Sequence, residues 1–329
     1  MLTIRRARTA VRTLVFGPPI PQFSTVGLPD PQSEVRVWLR GLGALMDVTD
    51  CNVIAAARPF TVGVGFEHMP DGATLQRAPL FLDFSDRPGE PSSLLGNIQL
   101  SYREMIRTGS RVLCLFSSSH STNRCLSRNL VWRRYLEFAR QQRRVAKSPT
   151  PPEIQMITRE YFALSTFYIC PRPVVLVSVV HGNASNIFPM DLIGPIGGEH
   201  FSLALHSTST AVPLIERSRR VALSSVPVEQ ISIAYALGQN HKKTDFHWNQ
   251  VSFDLTTSPA FGLPVPVFAL RVREMEIEKV HALGSHKLFI CRIMSNQLRA
   301  HGLQLSFVQG FYYARRQQTQ PLVPATRIA

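Results

Sequence analysis

The sequence predicts an α+β protein: a mixed α+β first half, then a closed, mostly antiparallel barrel carrying short helices. Three observations carry that prediction. The chain has 329 residues, which at about 150 residues per domain points to two domains. A proline-dense stretch, Lys147-Ser-Pro-Thr-Pro-Pro152, falls near the middle; it cannot continue a helix and favours an extended linker. After it the texture changes to short β-branched runs separated by turn residues. Hydrophobic residues make up 44% and charged residues 18%, with mean hydropathy +0.01. That composition supplies a real core and excludes a wholly disordered chain.

The first 29 residues contain no acid and include Arg5, Arg6, Arg8 and Arg12. Such a start has the composition of an organelle transit peptide; a frayed basic terminus is the simpler reading. Val35–Met46 is expected to be a helix. Pro59–Phe66, Pro79–Phe84 and Arg111–Phe116 alternate like strands. Ser117-Ser-Ser-His-Ser-Thr122 reads as a polar surface loop, and its hydroxyls also suit a phosphate. Leu126 to Ala146 reads as a helix, with Leu130, Tyr135, Leu136 and Ala139 on its apolar face and five arginines elsewhere.

Beyond the prolines, Glu153–Thr166 is expected to be a helix. Strands are expected at Val174–Val180, Phe201–His206, Val221–Ser225, Val251–Leu255, Val267–Val280 and Lys287–Met294. Ala211–Ser218 and Val228–Leu237 are expected as inserted helices. Six strands with two inserted helices suggest the barrel. No internal repeat is legible. The predicted organisation is a first domain of unassigned role and fold over 1–148, a linker over 149–154, a barrel over 155–315 and a tail over 316–329.

Net charge is +14. Residues 1–150 hold 20 Lys+Arg against 11 Asp+Glu, a net of +9; residues 151–329 hold 16 against 11, a net of +5. The excess is compatible with nucleic acid, an anionic membrane surface or phosphate-bearing small molecules. Its densest part is Arg124–Lys147, with eight basic residues and one acid, Glu137. The longest apolar run, near Pro173–Val180, is far short of the roughly 20 residues of a spanning helix. The five cysteines, at 51, 114, 125, 170 and 291, form no CxxC pair, which favours neither a zinc site nor a disulfide framework. A reducing, cytoplasmic compartment follows as the default.

Pro171-Arg-Pro-Val-Val-Leu-Val-Ser-Val179, a short turn, and Ser185-Asn-Ile-Phe-Pro-Met-Asp-Leu-Ile-Gly194 resemble the opening of the flavin reductase-like, FMN-binding split-barrel family. Gly284-Ser-His-Lys-Leu-Phe-Ile290 is similar to that family's Gly-x-His strand. Phe201–His206, Ser207-Thr-Ser-Thr210, a helix and Val221–Ser225 keep its order. The resemblance covers about 155–315 and nothing in 1–150. It implies a split β-barrel and hydride transfer from NAD(P)H to FMN or FAD. It also implies a homodimer, with a flavin-using partner downstream.

By the same resemblance, Asn186, Ile187 and Pro189 would lie along the flavin ring. Ser207, Thr208, Ser209 and Thr210, before a helix, would meet the phosphate with hydroxyls and amides, though an ordinary N-cap needs only one of them. The chain departs from the family by carrying His206 where Arg is frequent and Ser224 where Asn is common. Lys243, in the run Gly238-Gln-Asn-His-Lys-Lys243, could supply the missing phosphate charge. His286 would stand near flavin and nicotinamide as the catalytic residue. The His241/His247 pair lacks a further ligand, so no metal is expected. Neither a GxSxG nor a GxGxxG after a strand is present. Two other readings stay open: a flavin-binding electron carrier or sensor without turnover, and nucleic-acid or anionic-partner binding through the basic helix 124–147.

Overall fold

The computed structural model describes residues 20–31, 34–77, 79–86, 93–109, 111–146, 156–243 and 246–319. The Arg-rich start up to residue 19, the linker at 149–154 and residues 320–329 lie outside them.

The first half contains β1 (Phe23–Leu28), β2 (Arg36–Leu42), β3 (Ala44–Asp47), β4 (Asn52–Ala56) and β5 (Thr61–Phe66). It continues with α1 (Gly72–Arg77), β6 (Leu80–Ser85), β7 (Leu94–Thr108), β8 (Arg111–Asn123) and α2 (Arg128–Ala146). The second half begins with α3 (Thr158–Phe167), β9 (Arg172–Pro173), β10 (Val175–His181), β11 (Ala184–Met190), β12 (Ile193–Gly197) and β13 (His200–His206). Then come α4 (Ala211–Ser218), β14 (Arg220–Ser225), α5 (Ile231–Ala236), β15 (Leu255–Thr257), β16 (Pro264–Pro266), β17 (Arg271–Leu283), β18 (His286–Leu298), β19 (Gln304–Gln309) and α6 (Gly310–Thr319). The class is α+β, with curled antiparallel sheets and few, mostly short helices.

Two seven-stranded antiparallel sheets dominate. One has the order β3-β2-β6-β7-β8-β5-β4 and the other β11-β10-β14-β17-β18-β13-β12. With the seven strands of each sheet lettered a to g in chain order, both sheets read b-a-e-f-g-d-c. The match extends to single residues. In the β7–β8 hairpin Arg103 and Ser119 fall out of register, and in β17–β18 Glu278 and Met294 do so. Arg103 lies five residues before Thr108 and Glu278 five before Leu283; Ser119 lies eight after Arg111 and Met294 eight after His286. The β4–β5 hairpin skips Ala55, and β12–β13 skips Ile196 at the same step. Bulges re-aim a strand at defined positions and are features of a fold, not noise. The first half therefore repeats the fold of the second, although the sequence shows no repeat.

The halves pack through these sheets. Val53, Ala55, Leu113 and Leu115 share a buried cluster with Ile196, Ala204, Leu288 and Ile290. Gly194 faces Val53, where an added Cβ would stand 2.7 Å from Val53 Cγ1. These two residues hold the same place in β12 and β4, so the structural equivalents meet each other, as at a twofold axis. A second cluster joins Val37, Phe84 and Phe116 to Tyr161, Phe167, Val308 and Phe311. A small third sheet, β1-β19-β9, ties the start of the described chain to its last strand.

Several expectations are corrected. Val35–Met46 is not a helix but β2 and β3, because Gly41 (φ 119°) and Gly43 (φ 90°) turn the chain between them. Ser117–Thr122 is the end of β8, paired with β7, not a loop. Helix α2 buries Val131, Arg134, Tyr135 and Phe138, whereas Leu136 is 52% exposed. Arg134 is buried against Glu137 at 2.6 Å, so part of the basic helix points inward. Val251–Leu255 forms almost no strand, while β11 and β12 arise where none was expected. The tail from 316 begins as helix, with Arg316 bonded to Glu34 on the far end of the chain.

Candidate functional site

The 284–286 turn joins the two longest strands of the second half. Gly284 adopts φ 53°, and a Cβ there would collide with the Arg58 carbonyl. The segment joining β4 to β5 is thus laid directly against this turn. Ser285 N–H donates to Arg58 O at 2.7 Å, and Arg58 N–H donates to Ser285 Oγ at 3.0 Å. Ser285 Oγ lies 2.8 Å from His286 Nδ1, and Ala57 N–H donates to the same nitrogen at 3.4 Å. A nitrogen that accepts an amide N–H carries no proton, so the ring proton belongs on Nε2. His286 is 3% exposed. Burial, with His206 as a nearby second charge, pushes its pKa down to about 4. The imidazole is therefore neutral at pH 7, a donor at Nε2 rather than a cation. The His206 ring stands edge-on to it at 5.6 Å.

The run 206–210 leads away from this cluster. Ser207 Oγ donates to Ser285 O at 2.8 Å, and His206 Nδ1 lies 2.7 Å from Thr208 Oγ1. Ser209 Oγ donates to His241 O at 2.7 Å; Thr210 Oγ1 lies 2.9 Å from both His241 O and Lys243 O. The hydroxyl protons of Ser207, Ser209 and Thr210 are thus engaged by carbonyls, and the four hydroxyls do not form one open donor set. Ser207 and Thr208 are exposed, as is Lys243.

Asn186 is buried and ties β11 to the same loop. Its Nδ2 donates to Asn240 O at 2.8 Å, and Asn240 Nδ2 donates to Ile187 O at 3.1 Å. Ile187 is fully buried in a cluster with Leu176, Val226 and Leu237. Ser224 stands opposite Leu176 in the β10–β14 register and is fully buried; Pro189 pairs with Leu176 from β11 and is half-buried. The structure thus brings His286, Ser207 and Thr208 together at one end of the 206–210 run. At the other end it gathers Asn186, Ser209, Thr210 and Lys243. Ile187 and Ser224 lie under the cover formed by residues 226–270, away from both groups.

Two buried polar atoms of these residues lack partners: Asn186 Oδ1 and Ser224 Oγ. Such orphans cost free energy unless something meets them. Asn186 Oδ1, with the exposed Thr208 hydroxyl, the Lys243 ammonium and the Nε2–H of His286, makes a set that fits a ligand having a polar ring edge and a phosphate. Sequence reasoning missed Ala57, Arg58 and Ser285, the residues that hold His286. Ser285 sat inside the quoted motif, but nothing in the sequence brings Ala57 next to it.

A separate cavity of about 540 Å³ opens at the far end of the second sheet, with Arg172, Arg271 and Arg273 in its lining. Arg172 is spent on Asn52, with Nη2 donating to Oδ1 at 2.6 Å. Arg273 lies over the Phe201 ring, and burial pushes its pKa down to about 10. Among the described residues, no group of three or more His, Cys, Asp or Glu could hold a metal ion, and no helix is long and apolar enough to cross a membrane.

Residues 167–319 match the family model of the flavin reductase like domain. No curated protein matches the chain. Among solved structures, the chain is similar to an FMN-binding protein from Thermus thermophilus with bound p-hydroxybenzaldehyde. That match has 20% identity and a TM-score of 0.34, covering 39% of this chain and 73% of the other. It is also similar to the NADH:FAD oxidoreductase of Streptomyces globisporus C-1027, at 14% identity and TM-score 0.40, over 47% of this chain and 94% of that one. A third likeness is to the styrene monooxygenase flavin reductase of Pseudomonas putida S12, at 15% identity and TM-score 0.37, over 44% and 91%. The second half of the chain, residues 167–319, is a flavin reductase like domain.

Proposed function

We propose that the protein is an FMN-binding oxidoreductase of flavin-reductase type that takes hydride from NAD(P)H. The observation that carries this reading is the flavin reductase like match over 167–319, with its Gly-Ser-His turn at 284–286 inside the matched range. When bound, the flavin supplies the redox chemistry, and the protein supplies binding, orientation and electrostatics. Thr208 and Lys243 would hold the phosphate, and Asn186 Oδ1 would accept from the polar part of the cofactor. His286, neutral and protonated at Nε2, would donate a hydrogen bond toward the site rather than offer a positive charge. Pro189 would border the ring. Ile187 and Ser224 would act from beneath, through the strands they sit in.

The test is the visible spectrum of the purified protein after addition of FMN, followed by NADPH or NADH under nitrogen. Flavin absorbance that remains with the protein and bleaches on reductant addition supports the reading. Protein that retains no flavin, supplied as FMN or FAD, contradicts it. Flavin that binds but is not reduced by either nicotinamide favours the carrier or sensor reading. The downstream flavin-using partner and the cytoplasmic location belong to the same proposal.

A further inference from the structure

We infer that the first half serves as a built-in partner for the second. It completes one flavin site through Ala57 and Arg58, while its own copy of that site is closed by Arg111 and Glu67. The ligand named here rests on the flavin reading; the contact between the halves does not.

The equivalence of the halves gives every site residue a counterpart. The β5–β8 register pairs Phe66 with Val112, and the next step sets Glu67 opposite Arg111; in β13–β18 the same step sets His206 opposite His286. Asp83 pairs with Asn97, and Ser224 pairs with Val272 at the matching step, so Asp83 is the counterpart of Ser224. Gly109 and Gly284 open the two turns with φ 56° and 53°.

The contacts at the two ends mirror each other. At one end, the segment joining β4 and β5 meets the 284–286 turn as described above. At the other, the Gly197–His200 turn joining β12 and β13 meets the hairpin of β7 and β8: Arg111 lies against Gly197 and Gly198, and the His200 ring faces Gly109. Lys279 Nζ donates to Arg107 O, and His281 Nε2 lies 3.3 Å from Glu104 Oε2, so β17 also grips β7.

The residues in the two places differ in kind. Where the second half sets two imidazoles 5.6 Å apart, the first sets the Arg111–Glu67 ion pair, Nη2 to Oε1 at 2.8 Å. Where the second half has Ser207-Thr-Ser-Thr210, the first has His68-Met-Pro-Asp71. Asp71 is occupied with Thr74 at the start of α1, and Asp83 is bonded by Arg40 at 2.7 Å. Glu67 and Asp71 then stand where the second half has the two ends of its 206–210 run, and negative charge there repels a phosphate. A bulky guanidinium already salt-bridged in the turn leaves no imidazole donor there. One end is therefore furnished for a phosphate-bearing cofactor, and the other is not.

The role of the first half at the furnished end is to fix His286. Ala57 N–H occupies Nδ1 directly, and Arg58 N–H holds the Ser285 hydroxyl that also reaches it. Ala57 and Arg58 are thus positioning residues: they set which ring nitrogen carries the proton.

The experiment uses the full chain, labelled with ¹⁵N in histidine, with the His286 signals assigned through His286→Gln. The inference expects the Nε2–H tautomer at pH 7, and titration with FMN that saturates at one per chain. Glu67→Gln should leave both results unchanged. Ala57→Pro removes the amide donor and should shift the tautomer balance and weaken FMN binding about tenfold, the equivalent of one hydrogen bond. Should that variant fail to fold, Ser285→Ala reads the other contact on Nδ1, the hydroxyl that Arg58 N–H holds. An Nδ1–H ring in the parent chain, a second FMN of equal affinity, or FMN binding and tautomer both indifferent to Ala57→Pro and Ser285→Ala overturns the inference. No FMN binding together with the Nε2–H ring defeats the flavin reading and leaves the contact between the halves standing.

Discussion

His286 is one residue whose environment can be read as a stability term. Its pKa is about 4 in the folded chain, against about 6.5 unperturbed. Between those values the unfolded chain binds a proton that the folded chain refuses. The contribution is therefore fully present above pH 6.5 and lost as pH falls toward 4, by up to roughly 3 kcal/mol. Denaturant unfolding at pH 7 and pH 4.5 should show this loss in the parent chain and a smaller loss in His286→Gln; equal losses would contradict it. The paired glycines give a second contrast. Gly109→Ala meets only left-handed strain and ring atoms of His200 at 3.5 Å, a cost of about 1 kcal/mol. Gly284→Ala adds a collision with the Arg58 carbonyl and should cost roughly 2–4 kcal/mol in thermal or denaturant melts. Equal costs would mean that the 284 turn is not pressed against the first half. The His286 motif was legible in the sequence, but its neutral, Nδ1-accepting state was not, since the groups that impose it lie 228 and 229 positions away.

Individual elements were legible where apolar alternation was clean. Pro59–Phe66 and Pro79–Phe84 became β5 and β6, and Arg128–Ala146 is helical. The failures have physical causes. The end of β8 is rich in Ser and Thr on both faces, so the period-two signal that marks a half-solvated strand is absent. β11 was hidden by Asn186 and Pro189, residues that disfavour strands in isolation but are held by pairing with β10 along its whole length. Helix α2 faces inward through Arg134 because Glu137 accompanies it, a pairing one turn apart that a hydrophobicity pattern scores as solvent-facing. On β17, Glu274 is fully buried and accepts from Ser258 Oγ at 2.5 Å, Ala260 N–H at 2.7 Å and Phe261 N–H at 2.6 Å. It pins the loop between β15 and β16 to the sheet. Glu274→Ala should cost about 3 kcal/mol, because three donors lose their acceptor, and should raise amide exchange across 258–263. Exchange confined to other segments would contradict that role.

At the scale of the whole chain, the sequence suggested a first domain of unassigned fold joined by a linker to a barrel. The structure has two sheets of one strand order, interlocked through reciprocal turns. The copies were invisible because what they share is strand order, bulge position and burial, none of which fixes residue identity; few letters survive, among them the Gly-Ser before Arg111 and the Gly-Ser before His286. β1 pairs with β19 and the largest apolar cluster draws on both halves, so neither half is expected to unfold alone. The charge asymmetry follows the same division. The half with the larger positive excess is not the furnished half, and at its closed site it carries acids. Titration of the full 36.9 kDa chain with FMN, followed by flavin absorbance on the protein, tests the central claim most directly. The account predicts saturation at one FMN per chain, lost in a Lys243→Glu variant that keeps its fold. No saturable binding, or two sites of equal affinity, would contradict it.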